Sequence, residues 1–128
     1  MKLDRMSFFF LLVTILFVGC ASPGLNQKDY LNRLEKVKLG MSKPEFQQIF
    51  PESIPRDAKQ YPKGTVEVLE VVYEYYSLFP TGNRNRNEST GMEGRPQWFY
   101  FYKGRLLQYG NPGDWPTDPD LLIEKRIR

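Results

Sequence analysis

The sequence predicts an α+β fold in two layers: two N-terminal helices packed on a three- to four-stranded antiparallel sheet, in the order ααβββ. Three observations predict it. Apolar residues recur at helical spacing over Lys28–Val37 and again after Ser42, and alternating or continuous β-branched and aromatic runs occupy Thr65–Ser77 and Pro96–Tyr102. The 128 residues leave room for one domain.

Each element has a local cause. Tyr30, Leu31, Leu34 and Val37 form the stripe of a first short helix, and Gly40 stops it. Ser42-Lys43-Pro44-Glu45 matches a capping box, in which the serine hydroxyl accepts from the Glu45 amide and the Glu45 carboxylate accepts from the serine amide. Pro44 suits the first turn, where its missing N–H has no intrahelical partner. Phe46, Ile49 and Phe50 supply the apolar stripe, and Pro51 ends this second helix. Glu52 to Gly64, with Pro55 and Pro62 inside it, reads as an irregular connection. Thr65–Ser77 is a strand with Leu69, Val71, Tyr73 and Tyr75 on one face. Val66, Val68, Glu70, Val72, Glu74 and Tyr76 share the other. Leu78 to Arg95 reads as a long loop centred on Asn83-Arg84-Asn85-Arg86-Asn87. Pro96–Tyr102 is the second strand, Lys103-Gly104 a tight turn, and Arg105–Tyr109 the third strand. Asp118 can cap a short last helix that has Pro119 in its first position.

The N-terminus reads as an address. Lys2 and Arg5 precede an eleven-residue apolar run, Phe8 to Val18, interrupted only by Thr14. That run is too short for a spanning helix, which needs about 20 residues, and suits the apolar core of a secretory signal. It ends at Phe17-Val18-Gly19-Cys20. A small residue before a cysteine at the end of such a run resembles a bacterial lipobox, with Phe17 standing where Leu is usual. The resemblance implies that Cys20 becomes the lipidated N-terminus, bearing palmitate among its acyl chains. Ala21 after it resembles the signal for sorting to the outer membrane. The expected organisation is a lipoprotein signal peptide over residues 1–19, a lipidated tether over 20–29, an α+β domain over 30–116 and a short C-terminal helix or tail over 117–128.

Composition removes whole classes of chemistry. There is no histidine, so His-based general bases, zinc sites and Ser-His or Cys-His pairs are excluded. One cysteine forbids an internal disulfide. A net charge of +3 is too small for a nucleic-acid binder, which needs a dense basic face. Glu70 and Glu74 share a strand face but stand about 13 Å apart, beyond the spacing of glycosidase carboxylates; solvated charges are the expected role. Asp114, Asp118 and Asp120 lack the spacing of a calcium loop. The reading is of a protein that is no enzyme, holds no cofactor or metal, and takes no nucleic acid or small-molecule substrate.

The residues left for function are aromatic and basic. Trp98, Tyr100 and Tyr102 alternate with Phe99 and Phe101, so both faces of one strand are aromatic. One set is expected to pack under the helices with Phe46, Ile49 and Leu106, and the second either closes a small core with Tyr73 and Tyr75 or forms an exposed platform for a partner. A domain of this size buries about 60–65% of its unfolded surface, which favours a platform of Trp98, Tyr100 and Tyr102. Arg84 and Arg86 are the other partner-binding candidates. Leu121, Leu122, Ile123 and Ile127 give the tail an amphipathic character, which serves either a partner or a return onto the domain.

Gly40-Met41-Ser42 opening a helix, followed by a strand, a loop and Phe99-Tyr100-Phe101-Tyr102-Lys103-Gly104-Arg105-Leu106, resembles the SmpA/OmlA (BamE-like) domain of small bacterial outer-membrane lipoproteins. Gly110 to Trp115 is similar to the tail of many relatives. Phe50 before Pro51 departs from the small Gly usual there. The resemblance implies a non-catalytic, lipid-anchored binding or scaffold module of the cell envelope, on the periplasmic face of the outer membrane, such as an accessory subunit in barrel assembly. The same layout also resembles half of the β-lactamase-inhibitor fold, which implies instead a module that binds a periplasmic enzyme through an aromatic sheet face.

Overall fold

A computed structural model describes residues 24–76 and 92–127. Leu25–Asn26 forms a two-residue strand, β1. Helix α1, Gln27–Leu34, follows at once, because the Asn26 side chain accepts from the Asp29 amide at 2.8 Å and caps it. This start corrects the expected tether over 20–29: Leu25 is buried in the core and pairs with Tyr73. The helix also stops three residues before the expected Val37. The Lys36 and Val37 amides reach the carbonyls of Arg33 and Leu34, three residues back, so the last turn tightens and ends. Helix α2, Lys43–Ile49, has the capping box the sequence predicts, with both reciprocal bonds to Ser42 in place.

The segment expected to be irregular is a strand. Ile54–Tyr61, β2, pairs antiparallel with β3, Gly64–Tyr76, across the Pro62-Lys63 turn. Its outward side chains bury almost nothing, so no apolar alternation marks it; the hairpin with β3 recruits it. β4, Met92–Tyr102, pairs with β3 in unbroken register from Tyr102↔Val66 to Met92↔Tyr76. The expected loop over Leu78–Arg95 is therefore shorter at its far end, and residues 77–91 lie outside the described residues. β5, Arg105–Gly110, closes that side through the Lys103-Gly104 turn, where both residues have positive φ (50° and 74°). Helix α3, Pro119–Ile127, starts where Asp118 Oδ1 accepts from the Leu121 amide at 3.0 Å.

The class is α+β, with three helices and a mixed five-stranded sheet among the described residues. β3 is its centre. β4 and then β5 lie on one side, while β1 (parallel) and β2 (antiparallel) share the other edge of β3. Two cores result, one on each face of the sheet. On one face Phe46 and Phe50 of α2 and Tyr30 of α1 pack on Leu69, Val71, Tyr73, Phe99, Phe101 and Leu106. Phe46 is fully buried, with ring centroids 4.5 Å from Phe99 and 5.3 Å from Phe101. Burial of one such ring contributes about 2–3 kcal/mol. On the other face Val66, Val68, Tyr100, Tyr102 and Leu107 form the second core under Trp115, Leu122 and Ile123. The expected two-layer arrangement is thus corrected, because the C-terminal segment adds a third layer over part of the sheet.

Candidate partner surface and lipidation site

The predicted functional residues fall into three groups. Cys20, Arg84 and Arg86 lie outside the described residues. Tyr100 and Tyr102 are buried, and Trp98 is half-buried.

The buried pair overturns the exposed aromatic platform. The Tyr100 hydroxyl donates to the Asn111 carbonyl at 2.9 Å, and the Tyr102 hydroxyl donates to Asp120 Oδ1 at 2.9 Å. Tyr61 on β2 donates its hydroxyl to the Pro116 carbonyl at 2.6 Å. Three tyrosine hydroxyls therefore hold the segment from Asn111 to Asp120 down as a strap, and Leu122 and Ile123 of α3 complete the cover. The tail that left two uses open folds back onto its own domain. Burial pushes all three hydroxyls above the ordinary tyrosine range, and for Tyr102 the bond to Asp120 adds to that shift. Lys103 Nζ also approaches Asp120 Oδ1, at 3.5 Å, and strengthens the same anchor point.

Trp98 marks the limit of the strap. Its ring meets Trp115 edge-on at 6.0 Å and Tyr100 at 6.2 Å, and its indole N–H donates to Glu70 Oε2 at 2.7 Å. Glu70 was expected to be a solvated charge. It is instead buried, because β2 brings Arg56 Nε to 3.5 Å from the same carboxylate oxygen while Trp98 covers the other side. A sequence reading without β2 has no cation to pair with Glu70, so this charge cluster was hidden along with the strand. Glu67 pairs instead with Lys43 at the start of α2, and Glu74 lies exposed near Gly24.

The aspartates are structural. Asp114 Oδ2 accepts from the Asn111 amide at 3.1 Å, Asp118 caps α3 and Asp120 holds Tyr102. Among the described residues no three His, Cys, Asp or Glu side chains gather as a metal would need. No helix among the described residues is long and apolar enough to cross a membrane.

A cavity of about 680 Å³ opens where β1 and β2 leave a gap along the edge of β3. Gly24, Leu25, Arg33, Glu52, Ile54 and Val72 are among its walls. Arg33 Nη1 bridges both Glu52 oxygens, at 2.8 and 3.0 Å, so its polar wall is internally neutralised. On the face of the sheet beside this cavity, Ile54, Val72 and Tyr76 stand exposed (47%, 45% and 65%). The exposed apolar surface thus lies on the same sheet face as the predicted platform, but at its other end. Comparison with family models, with curated proteins and with solved structures yields no match for this chain.

Proposed function

We propose that this protein is a lipid-anchored module of the bacterial cell envelope, held on the periplasmic face of the outer membrane through Cys20, which binds or scaffolds an envelope protein complex. Service as an accessory subunit in barrel assembly, in the manner of SmpA/OmlA (BamE-like) domains, is the specific form the sequence resemblance favours. One observation carries the reading: the only cysteine ends an apolar run of signal length and stands four residues before Gly24, where the described fold begins. A thiol placed there has no disulfide partner in the chain, and acylation would give it a use.

The experiment is metabolic labelling with a palmitate analogue, followed by membrane fractionation and co-purification from detergent. Label should enter the native chain, be lost in Cys20→Ala, and follow the outer-membrane fraction. An envelope protein should co-purify with the labelled chain. An unlabelled native chain refutes the anchor, and recovery only as a free monomer refutes the scaffold. The inhibitor-like reading relied on an open aromatic sheet face, and Tyr100 and Tyr102 lie beneath the strap.

A further inference from the structure

Among the described residues, the sheet face opposite α1 and α2 is covered over only half its length. From the Tyr102 end, the strap and α3 lie over Val66, Val68, Tyr100 and Tyr102, and the cover ends at Trp98. Beyond it β3 continues through Val72, Glu74 and Tyr76, and β4 runs opposite them through Pro96, Gly94 and Met92. Ile54 is the register partner of Glu70 and so belongs to the same face. Ile54, Val72 and Tyr76 are the exposed apolar side chains of this half-face.

The chain enters the fold on this same face. Leu25 pairs with Tyr73 and points into the helix-side core, so Gly24, one residue earlier, lies on the opposite side. A Cβ at Gly24 would fall 2.5 Å from Glu74 Oε1, and Gly24, Ile54 and Val72 line one cavity. Gly24 thus stands beside the exposed half-face.

We infer that this half-face rests on the lipid surface, with Val72 and Tyr76 at the headgroup level. The inference builds on the anchoring of Cys20 proposed above. From Cys20 to Gly24 the chain spans at most about 14 Å, whatever its conformation. A lipid-bearing Cys20 thus holds Gly24 within about 14 Å of the bilayer, roughly two headgroup layers, and the surface around Gly24 with it. A tyrosine beside aliphatic side chains suits that interface, because its ring is apolar and its hydroxyl stays wet. Among the described residues the half-face has no cationic excess: Arg56 is paired with Glu70, and Glu74 is an anion. The contact is therefore one of apolar burial, insensitive to salt and to anionic lipid.

The test uses the full lipidated chain in vesicles of phosphatidylethanolamine with a minor share of phosphatidylglycerol. Acylation of Cys20 leaves an introduced cysteine as the only free thiol, so nitroxide labels can be placed at Val72→Cys, Tyr76→Cys and, on the exposed outer side of α2, Gln47→Cys. Collision with oxygen is compared with collision with a water-soluble nickel chelate. The oxygen-to-nickel ratio should be several-fold higher at 72 and 76 than at 47, and high salt should leave it unchanged. The two sites report independently, so a label that disturbs one leaves the other readable. An anchored protein with equal ratios at all three positions overturns the inference alone, as does loss of the difference in high salt. A native chain that stays off the vesicles and takes no palmitate overturns the anchor and the inference with it.

Discussion

The strap over the second core should depend on one hydrogen bond more than on any other. Tyr102 is fully buried, and its hydroxyl donates to Asp120 Oδ1 at 2.9 Å. Tyr102→Phe keeps the ring and its packing and removes only this bond. Hydrogen bonds to charged groups contribute about 1.5–3 kcal/mol. The Asp120 side chain retains about a quarter of its exposure and keeps Lys103 at 3.5 Å, so the carboxylate stays partly solvated and paired after the change. The lower end applies, about 1.5 kcal/mol, or roughly 6–12 °C in Tm for a domain of this size. Asp120→Ala should cost more than that, because Asp120 also places a negative charge in the first turn of α3. The double-mutant cycle removes the helix contribution and should leave a coupling of about 1 kcal/mol. Urea unfolding followed by tryptophan fluorescence is the assay, since Trp115 lies in the strap and Trp98 at its edge, with rings 6.0 Å apart. A coupling below about 0.3 kcal/mol would mean that the strap is held by apolar contact alone, and the reasoning would be wrong.

Phe46→Ala should cost about 3–5 kcal/mol, because the ring is fully buried among Phe50, Phe99 and Phe101 and no neighbour can fill the space; a loss under about 1.5 kcal/mol in urea unfolding would show a core that collapses. Ser42→Ala should cost about 1 kcal/mol through the lost cap. It should also let the Glu45 carboxyl, held low first by the Ser42 side-chain bond and then by the Ser42 amide, rise part of the way to its ordinary value in an NMR titration. A depressed carboxyl supports folding above its unfolded pKa and loses that support as pH falls through the folded one, so the variant should lose less stability on acidification than the native chain. At the alkaline end the sign reverses. Burial raises Tyr30, Tyr61, Tyr100 and Tyr102, and the bond to Glu93 raises Tyr75, so their support is complete below about pH 10 and is lost as pH rises through the folded values. The urea midpoint should fall steeply above pH 10, and a flat midpoint would contradict the buried hydroxyls.

What the sequence disclosed follows from how local each cause is. The Ser42–Glu45 box, the Lys103-Gly104 turn and the alternation of Leu69, Val71 and Tyr73 with Val66 and Val68 are set by neighbours within a few residues, and all were legible. β2 was not. Ile-Pro-Arg-Asp-Ala-Lys-Gln-Tyr has no buried face, and it is a strand because β3 supplies its hydrogen bonds and pairs Arg56 with Glu70. β1 is two residues long and has no pattern to read. The aromatic strand was read correctly as two-faced, and Phe99 and Phe101 lie under α2 as expected. Which surface would meet Tyr100 and Tyr102 was a question about a tail 18 residues away from Tyr102, at Asp120. A nine-residue helix with apolar side chains looks the same in sequence whether it docks on its own domain or on another protein.

The strap also changes which part of the sheet stays exposed. Among the described residues the two faces of the sheet are covered unequally. Here α1 and α2 cover one face, and the strap covers the half of the other where Tyr100 and Tyr102 lie. Ile54, Val72 and Tyr76 are left on the uncovered half, at the end where Gly24 brings the chain in. On a freely diffusing module such a face would favour self-association. On a module tied down within about 14 Å of that face, the bilayer itself excludes other copies from it. On a module anchored as proposed, short tether and open face are two parts of one arrangement: lengthening the first would make the second a liability.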